Sequence, residues 1–199
     1  MNEAIRDVMI DLAAMTDDGI ERLKTPWSTR YWSYATNGKM AIRFPRLNEF
    51  GERRDNDHIT DVIDSLLSAA VGPTWYDIPA VPPAPGPCPK CHGVPAVKCE
   101  ACDGDGAVEW EFEYDGRTYD MEAACPVCDG ESTVECKRCG GSGVLPEPGV
   151  EVGPALIRAD FLRLMARLPW CQIAPVDGLV PVVFEFDGGG RGAVMPVRR

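Results

Sequence analysis

Apolar residues recur at helical spacing in three separate stretches of the chain. The first stretch predicts an amphipathic helix over residues 3–15, and the second predicts a helix over residues 58–70. In the third, Asp160 stands at an N-cap position and Pro169 stops the helix. The apolar positions behind these predictions are Ile5, Val8, Met9, Leu12 and Ala13, then Ile59, Val62, Ile63, Leu66 and Leu67, then Phe161, Leu162, Leu164, Met165 and Leu168. The pattern predicts that each helix buries one face.

Runs of β-forming residues accompany these helical stretches. The segment 31–45 contains two such runs around Asn37-Gly38, a pair that tolerates the positive φ of a type I′ turn, so a hairpin is predicted there. Near the end of the sequence, residues 180–186 and 192–197 predict two strands joined by a glycine turn.

The middle of the chain has a different composition and an internal repeat. Between Cys88 and Gly143 there is no leucine and no isoleucine, so an ordinary hydrophobic core cannot form there. The segment contains four Cys-x-x-Cys pairs, which are Cys88/Cys91, Cys99/Cys102, Cys125/Cys128 and Cys136/Cys139. Seven residues separate the two pairs of each half and 22 residues separate the halves, which indicates a duplicated unit.

Proline-rich connectors lie on both sides of this repeat. Residues 79–87 form a stiff, extended linker, and residues 146–149 form a shorter one. The predicted organisation is an N-terminal part over 1–78, a linker over 79–87, a cysteine-rich part over 88–143 and a C-terminal part over 144–199.

Composition and charge exclude several functional classes. With 45% apolar and 26% charged residues the composition is globular, and no apolar run approaches the roughly 18 residues of a membrane-spanning helix. The acidic N-terminus differs from a secretory signal, so a cytoplasmic location is expected. The net charge of -11 argues against broad binding of nucleic acid. The cysteine-rich part carries 5 basic and 12 acidic side chains, and therefore most of the excess negative charge.

The eight paired cysteines match the ligands of two structural zinc ions. Two Cys-x-x-Cys turns complete a tetrahedral four-thiolate site that leaves no position for water or substrate. A glycine follows each second cysteine by two residues, at Gly93, Gly104, Gly130 and Gly141. Such a residue allows the tight turn that points backbone N–H groups at sulfur. A dithiol redox pair is the alternative, although four neighbouring pairs favour zinc.

Two further residues near this chemistry have competing interpretations. His92 follows a cysteine pair, so it either replaces a thiolate or lies on the surface. Cys171 is the odd thiol and lies between a predicted helix and a strand, which favours a buried position as a small apolar residue.

The cysteine-rich segment resembles the zinc domain of the DnaJ chaperone family, in which four Cys-x-x-Cys-x-Gly repeats form an elongated β-hairpin structure. The resemblance implies that the outer two pairs share one zinc ion and the inner two share the other. This assigns Cys88, Cys91, Cys136 and Cys139 to one ion and Cys99, Cys102, Cys125 and Cys128 to the second. It also implies a hairpin over 108–119. Pro95 and Ser132 replace expected glycines, so sequential pairing stays open, and the His-Pro-Asp tripeptide of the J domain is absent from the sequence.

The flanking parts resemble a domain of the bacterial β sliding clamp. The resemblance rests on the predicted helix at 161–168 followed by the run 182–186 and the run 192–198, which ends in Val-Met-Pro-Val-Arg, on the hairpin run 34–41, and on the position of the predicted helix over 3–15. It implies one α+β domain, with two or three helices on an antiparallel sheet, that is interrupted by the zinc finger. It also implies a setting associated with DNA replication or with phage.

Clamp helices face DNA, so the resemblance suggests a set of DNA-facing cations. The candidates are Arg6, Arg163 and Arg167. A solvated helix face is the other interpretation of the same residues. One such domain cannot encircle a duplex, so a ring would require a homo-oligomer.

The sequence contains no nucleophile–base constellation, carboxylate dyad, phosphate-binding loop or dinucleotide fingerprint, so we expect a non-enzymatic adaptor for a protein partner. The hairpin residues expected to bind protein are Trp110, Phe112, Tyr114 and Tyr119. Two alternatives stay open: a chaperone-like module that holds unfolded polypeptide, and an inhibitor whose acids at Glu109, Glu111 and Glu113 imitate DNA. Neither a membrane partner nor nucleic-acid binding through the finger is expected.

Overall fold

The computed structural model describes residues 2–16, 20–53, 58–68 and 71–198 of the 199-residue chain. The helices are α1 (Asn2–Ala14), α2 (His58–Leu67) and α3 (Ala159–Met165), and a short 3-10 helix covers Glu21–Leu23. The strands are β1 (Trp27–Ser28), β2 (Trp32–Thr36), β3 (Met40–Pro45), β4 (Tyr76–Asp77), β5 (Ala96–Lys98), β6 (Ala107–Tyr114), β7 (Arg117–Ala124), β8 (Thr133–Glu135), β9 (Gly149–Val152), β10 (Ala155–Arg158), β11 (Gln172–Ala174), β12 (Val182–Phe186) and β13 (Gly190–Val194). None of the helices in these ranges is long and apolar enough to cross a membrane.

The chain divides into two compact units. The body consists of Met1–Ala84 together with Glu147–Arg199, and the finger consists of Pro85–Pro146. In the body, a seven-stranded sheet has the order β1-β2-β3-β13-β12-β11-β4, with antiparallel neighbours throughout. Ala41 of β3 pairs with Ala193 of β13, so segments from both sides of the finger build one sheet. The fold class is α+β, as predicted.

The helices cover both faces of this sheet because successive side chains of a strand point to opposite faces. Met40 and Ile42 of β3 belong to the cluster formed with α1 and α3, whereas Ala41 belongs to the cluster formed with α2. Val194 and Ala193 of β13 divide in the same way. The α1/α3 side buries the predicted residues Ile5, Val8, Met9, Leu12, Phe161, Leu162, Leu164, Met165 and Leu168, and also Cys171.

Helix α2 differs from its prediction in its buried stripe. It ends at Leu67, and predicted residues 69 and 70 lie outside the described part of the chain. Val62 is 43% exposed, whereas Thr60 is buried because its hydroxyl accepts the indole N–H of Trp27 at 3.3 Å. The buried stripe of α2 therefore consists of Thr60, Ile63 and Leu67, and Val62 lies outside it.

The prediction that Asp160 is an N-cap is wrong. The N-cap of α3 is Arg158, and Asp160 lies in the first turn, where its carboxylate accepts the backbone N–H of Phe161 and binds the guanidinium of Arg158. An acid in a first turn is favourable because it faces the positive end of the helix dipole. The helix ends at Met165, so Arg167 lies in the turn that follows it.

The remaining predicted strands form with shifted ends. In the 31–45 hairpin the two residues that reverse the chain are Gly38 and Lys39, not the predicted Asn37 and Gly38. Of these two turn residues only Gly38 takes positive φ, at 83°. The Asn37 side chain instead accepts the N–H groups of Lys39 and Met40. Strand β13 begins at Gly190, which already pairs with Phe186.

The finger is built from two short antiparallel sheets. β5 pairs with β8, and β6 pairs with β7 over eight residue pairs. Asp115 and Gly116 close the longer hairpin with φ values of 52° and 67°, as a two-residue type I′ turn requires. A bridge between Pro87 and Val144 joins the two ends of the segment.

Candidate metal centres

Each Cys-x-x-Cys pair lies in the same kind of turn. The backbone N–H three residues after each second cysteine donates to the carbonyl of that cysteine, at Val94, Asp105, Glu131 and Ser142. The glycines predicted to permit these turns, Gly93, Gly104, Gly130 and Gly141, all have positive φ between 70° and 89°. Ser132, which stands where the DnaJ resemblance leads us to expect a glycine, has a φ of 67°. Left-handed backbone two residues after the second cysteine is thus common to all four turns, whereas Pro95, at the position equivalent to Ser132, does not take positive φ.

The β5–β8 ladder determines which pairs meet. β5 lies between the first and second cysteine pairs and β8 lies between the third and fourth, so antiparallel pairing brings the first pair to the fourth and the second to the third. The outer centre contains Cys88, Cys91, Cys136 and Cys139, and the inner centre contains Cys99, Cys102, Cys125 and Cys128. The sequential pairing that the spacing left open is therefore not the observed one.

Sulfur–sulfur distances fit tetrahedral metal sites. In the outer centre Cys88 and Cys136 have their Sγ atoms 3.9 Å apart, and Cys91 and Cys139 have theirs 3.7 Å apart. The inner centre repeats these distances, with 3.9 and 3.7 Å for its two corresponding contacts. A tetrahedron with metal–sulfur bonds of about 2.3 Å has edges of about 3.8 Å. A disulfide requires about 2.05 Å, so the cysteines are free thiols arranged as ligands.

Burial separates the two centres from solvent. In each centre all four ligand atoms lie within 4.8 Å of one another, and seven of the eight cysteines are buried, with Cys139 partly exposed. Within the described residues these two groups can each hold one metal ion. His92 is exposed and belongs to neither group.

Backbone N–H groups favour the thiolate form at one cysteine of each centre. At Cys88 burial raises the thiol pKa, but the N–H groups of Cys91 and Lys90, together with hydrogen bonds to the thiols of Cys91 and Cys136, lower the pKa to about 7. At Cys102 burial also raises the pKa, but the N–H groups of Gly106, 3.3 Å from the sulfur, and Gly104 act together with the thiols of Cys99 and Cys128 and lower the pKa to about 7. These cysteines are prepared to act as ligands because metals bind the thiolate.

The pKa values of two other cysteines rise, which shows why a cation is needed to complete each centre. Burial raises the pKa of Cys91 to about 12, and the adjacent thiols of Cys139 and Cys88 add to this effect. Burial and the thiol of Cys125 raise the pKa of Cys128 to about 11. Thiolates this close oppose one another's ionisation, and a bound divalent cation removes that penalty.

The four predicted protein-binding aromatics lie on the β6–β7 hairpin and are all exposed. Trp110, Phe112 and Tyr114 have exposed fractions of 52%, 53% and 72%, and Tyr119 has 42%. The Phe112 and Tyr119 rings stack with centroids 5.2 Å apart. Sequence reasoning missed Met121, which lies opposite Trp110 and is also exposed. Counting outward from the two-residue Asp-Gly turn gives this pairing from the sequence.

The three candidate DNA-facing arginines all lie next to carboxylates. Arg163 binds Glu147 at 2.5 Å and donates to the carbonyl of Pro82 at 2.8 Å. Arg167 binds Asp11 at 2.5 Å, and Arg6 binds Asp7 at 2.8 Å. The ion pairs agree with the interpretation as structural surface charges, and the DNA-facing role stays a prediction.

Sequence reasoning did not find an apolar groove on the body. A cavity of about 310 Å³ lies beside α2, where Ile59, Val62 and Leu66 face Val194 and Met195. The sequence did contain a signal for this groove, because α2 has five apolar residues, which is more than its buried stripe accommodates.

No model of a known protein family matches the chain, and no curated protein matches it either. The two four-cysteine clusters are consistent with zinc fingers of the DnaJ type.

Proposed function

We propose that this protein is a non-enzymatic adaptor in which two structural zinc ions fold the finger and the β6–β7 hairpin binds a protein partner. The observation that carries the proposal is the exposure of Trp110, Phe112, Tyr114 and Tyr119 on one isolated hairpin. Aromatic side chains are enriched at protein interfaces because they bury a large area with few rotatable bonds.

Zinc is the proposed metal because four thiolates in tetrahedral arrangement are its usual structural site. The finger contains neither leucine nor isoleucine, so metal binding, worth on the order of 10–16 kcal/mol, takes the place of a core. Each filled site has no open coordination position, which supports a structural rather than a catalytic role.

The metal assignment is tested by native mass spectrometry of the full chain. Two zinc ions per chain are expected. Fewer than two metals, iron in place of zinc, or disulfides between the finger cysteines would contradict the proposal. The same spectrum reports the oligomeric state, on which the clamp resemblance depends.

The adaptor role is tested with the zinc-loaded full chain as bait. A Trp110→Ser/Phe112→Ser variant is expected to lose a partner that wild type retains. Val127→Ser is the matched control, because Val127 is 61% exposed on the finger but lies outside the hairpin. Equal recovery of the same proteins by wild type and the double variant would contradict the proposal.

The proposed body is a clamp-like scaffold for the finger. Its support is the antiparallel sheet with three helices and the residue runs at 35–38 and 194–198. The body has helices on both faces of its sheet. In this respect it differs from a sliding-clamp domain, whose helices all face DNA.

The second candidate is a chaperone-like module that holds unfolded polypeptide. The exposed apolar side chains of the hairpin favour it, because such surfaces bind apolar segments without sequence preference. If the protein suppresses the aggregation of a denatured client at an equimolar ratio, that result would support this candidate. If it does not, the adaptor proposal is favoured.

The third candidate is an acidic inhibitor that imitates DNA. Glu109, Glu111 and Glu113 are exposed along one strand, which motivates it. Failure to compete with duplex DNA for a DNA-binding enzyme at low salt would eliminate this candidate.

A further inference from the structure

The register of the β6–β7 hairpin sorts its side chains into two chemically opposite faces. Residues directly opposite one another share a face. The aromatic face contains Val108, Trp110, Phe112, Tyr114, Arg117, Tyr119, Met121 and Ala123. The acidic face contains Glu109, Glu111, Glu113, Thr118, Asp120 and Glu122. A solvated hairpin does not need this division, since neither face is buried in a core.

The acidic face places like charges directly opposite each other. Glu109 lies opposite Glu122, and Glu111 lies opposite Asp120. Such pairs destabilise a hairpin. Across the described residues of the finger, the ion pairs involve Glu100 and Asp103 and none of the hairpin carboxylates. The hairpin therefore carries uncompensated negative charge that a cationic ligand would neutralise.

The aromatic face and the outer strand edges lack a partner in the described part of the finger. β6 and β7 form a two-stranded sheet, so each strand has one edge with backbone N–H and C=O groups directed away from the hairpin. A two-stranded sheet is marginally stable by itself. A third strand would satisfy these groups and extend both faces.

The outer edge of β6 is better suited to an added strand than the outer edge of β7. Residues 109–114 read Glu-Trp-Glu-Phe-Glu-Tyr, so charge and aromatic surface alternate without interruption. β7 interrupts the pattern with Thr118 on the acidic face and Arg117 on the aromatic face. A strand added at β6 would meet one carboxylate and one aromatic ring in turn along its whole length.

We infer that the outer edge of β6 binds an extended segment of the partner protein in which basic and apolar residues alternate. This inference rests on the proposed function and specifies the chemistry of the partner. Backbone hydrogen bonds hold the segment, its lysines or arginines pair with Glu109, Glu111 and Glu113, and its apolar side chains pack beside Trp110, Phe112 and Tyr114.

Charge selects this occupant over a second copy of the chain. Pairing of β6 with β6 of another chain sets glutamates against glutamates, and the segment 88–143 carries 5 basic against 12 acidic side chains. The same acids protect the edge from self-association and attract a basic strand.

The test uses zinc-loaded full chain and two synthetic eight-residue peptides, the length of β6. One peptide alternates lysine and valine, and the other has the same composition with all lysines first. Calorimetric titration is expected to show that the alternating peptide binds at least about tenfold more tightly, because only its pattern fits both faces at once. N-methylation of the alternating peptide along one edge is expected to abolish binding, and along the other edge to leave it intact.

Two variants locate the site on β6. Glu109→Gln/Glu111→Gln/Glu113→Gln is expected to weaken binding about tenfold, which corresponds to about 1.4 kcal/mol. Asp120→Asn/Glu122→Gln removes charge from β7 and is expected to have a smaller effect. Native mass spectrometry verifies that both variants keep two metals, so a loss of binding cannot be attributed to unfolding.

The contradictory results are equally specific. Equal binding of the two peptides, or equal weakening by the two variants, overturns the inference in favour of general charge attraction. No binding of the alternating peptide also overturns it. If the alternating peptide does not bind but the Trp110→Ser/Phe112→Ser variant still loses a protein partner, the adaptor proposal stands. If that variant keeps the partner, both the adaptor proposal and this inference are contradicted.

Discussion

Gly106 is the position at which an added methyl group disturbs the inner centre most directly. Its φ is 81°, and a Cβ atom there would lie 2.6 Å from the carbonyl oxygen of Gly130. Its own carbonyl accepts the N–H of Cys125 at 2.8 Å, and its N–H lies 3.3 Å from the sulfur of Cys102. The residue thus connects the second cysteine pair to the third.

The expected effect of Gly106→Ala follows from two separate terms. The left-handed backbone costs an alanine about 1 kcal/mol, and relief of the collision with Gly130 costs about 1–3 kcal/mol more. The sum of about 3 kcal/mol corresponds to a metal affinity about a hundredfold lower at the inner centre, because folding and metal binding are coupled in such domains. Gly116→Ala isolates the first term, since its φ is 67° and nothing lies within 4 Å of the added Cβ.

The assay is titration of each full chain with a metal chelator, followed by native mass spectrometry of the metal-bound species. Gly106→Ala is expected to release one metal at a chelator concentration well below that required by wild type. Gly116→Ala is expected to remain close to wild type. Release of metal at the same concentration by both variants would refute the reasoning, because the collision with Gly130 would then have no consequence.

Four further predictions concern the cysteines and one ion pair of the body. Cys102→Ser is expected to retain one metal, whereas Cys171→Ser retains two, as counted by native mass spectrometry. Burial raises the pKa of Cys171 to about 12, so alkylation at pH 8 after chelation is expected to label eight thiols and to spare the protonated Cys171 until the body unfolds. The body is also expected to lose stability as pH rises from about 9 toward 12, because unfolding then releases the proton of Cys171. Alkaline denaturation curves are expected to show this loss in wild type and not in the Cys171→Ser control. Arg163→Ala leaves Glu147 partly buried without its cation, so thermal denaturation is expected to show a loss of about 1–3 kcal/mol, and a smaller loss for the more exposed Arg6→Ala.

Regular patterns made most of the fold and the metal ligands predictable. The helical spacing of Ile5, Val8 and Leu12 is sufficient to define α1 because burial of one helix face imposes that spacing. The Cys-x-x-Cys spacing is sufficient to define the ligands because a tetrahedral site accepts few alternatives.

The features that could not be predicted depend on contacts between distant segments. Thr60 is buried on the face of α2 that contains Ile63, with its hydroxyl satisfied by the Trp27 N–H, and spacing within α2 contains no sign of that partner. The choice between outer/inner and sequential pairing depends on the β5–β8 ladder, whose three-residue strands are too short for a periodic signal. The engagement of Arg163 with Glu147 joins residues 16 positions apart and is a consequence of the fold.

The nested arrangement of the two centres sets an order of assembly. Cys99 and Cys125 are 26 positions apart, whereas Cys88 and Cys136 are 48 positions apart. When the inner ring closes first, only two short arms remain free, and the entropic penalty of closing the outer ring falls by about 0.6 kcal/mol. We therefore expect loading to proceed from the hairpin outward, and under metal starvation we expect the outer centre to open before the inner one.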